Sequence, residues 1–200
     1  MLSDPLLDLP GAVPGPVVAD HYGDPVAEQR MLAAGRAIVD FSDRGVVTVT
    51  GADRLTWLDS LTSQSLTRLE PGASAETLLL DPNGRLEHAM HVIDDGVTTW
   101  LLVEGSAAPT LAAWLDRMRF MMRVEVADVS SEWATLAQLL AEGSEPLVEP
   151  AAPNGQPLLW RDPWLAVQNG GWQYAAEGEH PSASFPAVEL LVERSRLAEV

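Results

Sequence analysis

The chain has no cysteine and no lysine; its 12 basic residues, all arginine, stand against 29 acidic ones for a formal net charge of −17. Without cysteine, disulfides, thiolate catalysis and Cys ligation of zinc or an iron–sulfur cluster are excluded within this chain. The scarcity of positive charge makes phosphate backbones and anionic bilayers poor partners, so neither nucleic acid nor membrane is expected. The ordinary meaning of such acidity is solubility; attraction of a basic partner is the functional alternative. No apolar run approaches the ~20 residues that span a bilayer. Residues 1–16 are Pro-rich, with neither a basic leader nor a continuous apolar core, so they do not read as a signal peptide and the expected location is the cytoplasm. What is present is a hydrophobic content of 46% with seven Trp, which fits a packed core, and 200 residues, enough for one large or two small domains.

Residues 1–19 are punctuated by Pro and Gly and read as an extended segment. Asp24 followed by Pro25 is a helix start, with Val26, Met31 and Leu32 as its stripe and Gly35 as its stop. Residues 37–41 and 46–50, rich in β-branched residues, read as strands. Gly51-Ala52-Asp53 opens a second helix on which Leu55, Leu58 and Leu61 recur. Strands over 76–80, 85–93 and 97–104 should form a meander, turned at Pro82-Asn83-Gly84 and Asp94-Asp95-Gly96, because Asn and Gly tolerate positive φ. Residues 107–120 are the clearest helix, with Leu111, Trp114, Leu115, Met118 and Met122 on one face. Residues 123–129 and 133–140 are strand candidates; Leu136, Leu139 and Leu140 suit a helical turn as well. Residues 142–163 read as a linker with one short strand at 158–161. Gly170-Gly171 marks a hairpin, and Pro186 opens a last helix over 188–200. This mixed order predicts an α+β fold with antiparallel sheets.

Several chemistry-bearing groups have plain structural alternatives. His88 and His91 stand three apart on a strand, so they face opposite ways and do not share a metal ion. Asp94-Asp95-Gly96 reads as a turn rather than a carboxylate pair. Ser60, Thr62, Ser63 and Ser65 sit near a helix end without a nucleophile elbow, and capping explains them. Trp114, Met118, Met121 and Met122 offer a soft binding surface, though at helical spacing they are more often core. Arg117, Arg119 and Arg123 form a small cationic group that would attract a polyglutamate tail or form internal ion pairs.

The block over residues 40–129 resembles the N-terminal part of the YgfZ-type folate-binding proteins, relatives of the glycine cleavage T-protein, an aminomethyltransferase. The residues that carry it are Arg44-Gly45, Gly51-Ala52-Asp53-Arg54-Leu55 with Trp57-Leu58, Leu61-Thr62-Ser63-Gln64, Leu69-Glu70-Pro71-Gly72 and Asp81-Pro82-Asn83-Gly84-Arg85, extended by His21-Tyr22-Gly23-Asp24-Pro25. The resemblance implies a three-part ring that holds tetrahydrofolate in a central hole, and a role in maintaining iron–sulfur enzymes. It also implies that Ala89, His91 and Ile93 on one strand face, with Glu104 on the neighbouring strand, occupy the pocket-facing places. There His91 would donate to a bound pterin and Glu104 would accept from it.

Two departures qualify what is carried over. The T-protein pattern has an Asp-Asp pair where this chain has His88 and Ala89, which argues against aminomethyl transfer. The Lys-Gly-Cys signature of the YgfZ type is absent, and the chain stops at Val200, where such relatives continue. The expected organisation is an extended segment (1–19), a folate-binding core (20–141), and a Pro/Gly-rich linker, hairpin and helix (142–200) that complete or precede a second subdomain. The expected function is folate-binding support of iron–sulfur client enzymes without turnover of its own, with tetrahydrofolate bound weakly or not at all by these 200 residues alone. A folate-dependent aminomethyltransferase and a pure protein-interaction module are the alternatives.

Overall fold

The computed structural model describes residues 5–165 and 184–200. Among these described residues, nine strands build two antiparallel sheets. The larger runs in the order β5 (Ser74–Leu80), β6 (Leu86–Asp94), β7 (Thr98–Val103), β4 (Gly45–Thr50), β8 (Glu125–Asp128). The smaller runs β10 (Leu159–Arg161), β11 (Ala187–Glu193), β9 (Trp133–Leu139), β3 (Val39–Phe41). A two-stranded ribbon pairs β1 (Val13–Pro14) with β2 (Ala19–His21).

The meander β5-β6-β7 forms as its turns dictate. Asp81 accepts from the amides of Asn83 and Arg85, both at 2.8 Å, while Gly84 supplies φ +78°. At the next turn Asp95 accepts from Val97 and Thr98 at 2.9 and 2.7 Å. The second Asp of that turn also takes the indole N–H of Trp100 at 2.8 Å and the side-chain amide of Asn154 at 2.9 Å. β4 and β7 lie in the middle of the larger sheet and are buried on both faces, which is why they read as almost unbroken apolar runs.

Alternation along these strands feeds two cores. Val47, Val49, Leu101 and Val103 face the helices α2 (Arg54–Leu61) and α3 (Ala108–Met118), packing on Trp57, Leu58, Leu111 and Leu115. Val46, Trp100, Leu102 and Ile93 face the smaller sheet, packing on Trp160 and Leu191. A third cluster, with Leu136, Leu190 and Val192, packs with Leu6 and Leu197 near the chain ends. The expected α+β class with antiparallel sheets is the architecture found.

Several local expectations need correction. Residues 188–200 do not form a helix: they give β11 and then a 3₁₀ turn, Arg194–Glu199. β11 pairs on both sides, with β10 and β9, and a central strand buried on both faces has no period-two signal to distinguish it from a buried helix. The ambiguous segment at 133–140 is likewise a strand, β9. α3 stops at Met118, and Phe120 takes a positive φ of 41°. Met121 therefore stands 96% exposed rather than in the core, and Met122 is exposed too. Trp114 is only partly buried at the margin of the helix-side core. The first helix, α1 (Pro25–Ala33), has the predicted start, with Asp24 accepting from Ala27 N at 3.0 Å, but none of its residues is buried. The expected hairpin at Gly170-Gly171 lies outside the described residues.

Candidate functional site

The β6-β7 face that looks toward the smaller sheet ends in a cavity of about 320 Å³. Its walls include Arg44 from the β3–β4 turn, His88, Ala89 and His91 from β6, and Glu104 just past β7. Three of the four residues expected to face a ligand, Ala89, His91 and Glu104, are thus brought together. The fourth, Ile93, is fully buried in the inter-sheet core and does not reach the cavity.

His91 is held on two sides. Its ring stacks on Trp160 of β10, with centroids 3.7 Å apart and planes parallel. Trp160 is itself anchored by an indole N–H to Ala75 O at 2.8 Å. Nδ1 of His91 lies 3.2 Å from a carboxylate oxygen of Glu189 on β11. The angle falls short of a hydrogen bond, leaving Nδ1 buried without one. Coulomb interaction depends on distance, so the carboxylate still dominates the electrostatic surroundings of that nitrogen. The other oxygen of Glu189 accepts from Arg44 Nη1 at 3.2 Å. One buried carboxylate, 7% exposed, therefore stands between Arg44, 28% exposed, and His91, 20% exposed. The Arg44 guanidinium also lies 5.5 Å above the Phe41 ring.

Arg44, Trp160 and Glu189 are the site residues that sequence reasoning missed. Arg44 was in view only as part of a motif. Glu189 was the available signal: a lone carboxylate inside the apolar run 187–192 needs a buried partner.

The other candidate groups have structural duties. Ser60 donates to Trp57 O at 2.7 Å and Thr62 to Leu58 O at 2.9 Å, both within or at the end of α2. Arg119 pairs with Asp116 at 3.0 Å, and Arg123 forks onto Asp53, whose carboxyl is pulled down to about 2 by those side-chain hydrogen bonds. Among the described residues no group of three or more His, Asp or Glu is placed to hold a metal ion, and no helix is long and apolar enough to cross a membrane. A larger cavity of about 450 Å³ lies between the N-terminal segment, α1 and β3. Its walls are mainly apolar; its Glu28 carboxylate is engaged by the amides of Tyr22 and Asp24, while Asp40 in the same wall keeps one buried oxygen without a hydrogen bond among the described residues.

The fold has counterparts. The chain is 28% identical over 145 residues to an aminomethyltransferase of Synechococcus sp. (strain RCC307), an alignment that covers 68% of this chain and 40% of the relative. Its structure superposes on that of the glycine cleavage system aminomethyltransferase T from Bartonella henselae with a TM-score of 0.64, at 16% identity, over 95% of this chain and 52% of the other. At that identity the superposition speaks for the fold. The chain spans about half the length of these relatives or less. Residues 20–139 match the GCVT N-terminal domain, from β2 through β9, and with more than half its length inside that match the chain belongs to the GCVT N-terminal domain family.

Proposed function

We propose that this chain is a folate-binding accessory protein of the YgfZ type, with no aminomethyl transfer of its own. The observation that carries this reading is the make-up of the cavity. It gathers Arg44, His91 and Glu104 on one wall system, and the two positions where the T-protein pattern has carboxylates hold His88 and Ala89. A pterin ring offers N–H donors and a carbonyl acceptor along one edge. Glu104 can accept from such an edge, and Arg44 can donate to it through the N–H groups not engaged by Glu189. Tetrahydrofolate, when bound, supplies the one-carbon carrier; the chain's residues bind and orient it. Without a carboxylate at 88 or 89, the protein lacks the group that handles the carrier during transfer in the resembling enzymes.

Support for an iron–sulfur role comes from the motif resemblance, and client iron–sulfur enzymes are the partners it implies. These residues span about half the length of the relatives or less, and a missing charge-assisted hydrogen bond weakens the site by about 1.5–3 kcal/mol. Binding to these 200 residues is therefore expected to be weak. Trp160 stacks directly on His91, so titration with tetrahydrofolate while following Trp fluorescence reads the site. The expected result is a weak, saturable change that His91→Ala and Glu104→Ala both remove. No response at millimolar ligand would refute folate binding by this chain. Ammonia release from an aminomethylated carrier protein would show instead that it is a transferase.

A further inference from the structure

We infer that Glu189 is a positioning residue for this cavity: it keeps the proton of His91 on Nδ1, so that Nε2 is the ring nitrogen offered to a ligand. Only the identity of the ligand rests on the folate reading; the effect on His91 does not.

The groups that face His91 come from β11, β10, β5 and the turn before β4; β5 places Glu76 directly across from His91, its carboxylate taken by the Trp164 indole N–H at 2.6 Å. β11 contributes the Glu189 carboxylate 3.2 Å from Nδ1, and β10 contributes the stacked Trp160. β6 itself contributes no charge on this face between Ala89 and Ile93. Arg44, in the β3–β4 turn, reaches the same carboxylate at 3.2 Å. Nδ1 is buried and has no other polar neighbour within hydrogen-bond reach among the described residues. Were that nitrogen unprotonated, its partial negative charge would sit 3.2 Å from a carboxylate in a poorly solvated place, which is repulsive even off the lone-pair axis. With the proton on Nδ1 the same contact is attractive, whether the ring is neutral or charged. Stacking against Trp160 fixes the ring plane, His91 lines the cavity, and with Nδ1 buried the exposed fifth of its side chain lies elsewhere on the ring. No hydrogen bond occupies Nε2 among the described residues, which leaves it free for a ligand atom.

This device is built from parts of the chain that lie outside the family match. The match ends at residue 139, whereas Trp160 and Glu189 belong to β10 and β11. The segment after the matched domain therefore sets the chemistry of a strand inside it. The ligand that suits the arrangement is a planar heterocycle carrying donors and acceptors on one edge. It would meet Nε2 of His91, N–H groups of Arg44 and the carboxylate of Glu104 together.

Long-range proton–nitrogen spectra of the 15N-labelled chain, recorded at alkaline pH where rings are neutral, read which nitrogen of His91 carries the hydrogen. His91→Ala identifies its signals. The expected result is the Nδ1–H form in the wild type. Glu189→Gln keeps an acceptor oxygen and should retain that form. Glu189→Leu removes the acceptor and should turn the ring to Nε2–H, the form a free histidine side chain prefers. Tetrahydrofolate affinity should fall about tenfold in Glu189→Leu, the loss of one hydrogen bond of about 1.4 kcal/mol, and much less in Glu189→Gln. An Nε2–H ring in the wild type overturns the inference, and that spectrum needs no variant to fold. An unchanged tautomer in a folded Glu189→Leu overturns it as well. If the wild type binds no tetrahydrofolate while the tautomers behave as expected, the folate reading falls and the role of Glu189 stands.

Discussion

Removing the carboxylate of Asp94 should be among the most damaging single changes in this protein. Asp94 closes β6, and its side chain is 1% exposed. Arg54, in the first turn of α2, reaches it with Nε at 2.8 Å and Nη2 at 2.7 Å. The carboxylate also accepts from the Thr99 hydroxyl at 2.7 Å and the Gly96 amide at 2.9 Å. All four interactions go in Asp94→Ala, and the Arg54 guanidinium, 13% exposed, is left without its anion. Breaking a buried pair in this way costs roughly 3–5 kcal/mol, because the stranded charge keeps its desolvation penalty. That is a large share of the ~5–15 kcal/mol that holds a domain folded. Urea unfolding followed by Trp fluorescence should show the midpoint fall with little change in slope. Arg54→Met should cost less than Asp94→Ala, since a carboxylate beside the Thr99 hydroxyl and the Gly96 amide keeps two donors. Combining the two should cost at least ~1 kcal/mol less than the sum of the singles, because the second change removes the charge stranded by the first. A loss under ~1 kcal/mol for Asp94→Ala, or strict additivity in the double variant, would refute the view that this pair is held by mutual desolvation.

Asp53, drawn down to about 2 by the side-chain hydrogen bonds of Arg123, lies below its ordinary value of 3.8. A depressed carboxylate contributes stability above its unfolded value and loses it as pH falls through its folded value, so the contribution should fade between about pH 4 and pH 2. Asp53→Asn should flatten that part of the acid-unfolding curve, and an unchanged slope would count against the pair. Gly51 holds φ +129°, and a Cβ there would lie 2.1 Å from the carbonyl of Arg123. Gly51→Ala should therefore destabilise by at least about 2 kcal/mol, read as a lowered melting temperature; an unchanged one would show that the Arg123 loop yields freely. Trp114→Ala, at the partly buried edge of the helix-side core, should cost about 2 kcal/mol in urea unfolding rather than the ~3–5 kcal/mol of a fully enclosed ring. A loss of 4 kcal/mol would show that Trp114 is sealed in more tightly than its packing indicates.

Where structure is set by neighbours in the chain, the sequence by itself determined it. Asp81 and Gly84 close their hairpin by contacts within four residues, and Asp24 caps α1 through Ala27, three residues on. The meander β5-β6-β7 and the helix on Leu111 and Leu115 followed from such short-range signals and from periodicity. So did the strand face that carries Ala89 and His91. Absence of cysteine excluded disulfides and thiolate chemistry within these residues before any fold was considered.

What only the tertiary structure decided is everything that depends on two-sided burial or on distant partners. The run Val188-Glu189-Leu190-Leu191-Val192 became a strand because β9 and β10 bond its two edges while cores cover its two faces. Local pattern is blind to that, since a segment buried all round has no polar face to give its period. Met121 turned outward because α3 ended early, at a boundary that helical spacing does not mark. The cavity's chemistry is the extreme case. Arg44 and Glu189 stand 145 residues apart, and so their ion pair exists only once the smaller sheet has packed against the larger one. That packing puts a carboxylate and an indole around His91, and it is this surrounding, which no spacing along the chain encodes, that makes the ring a candidate ligand group.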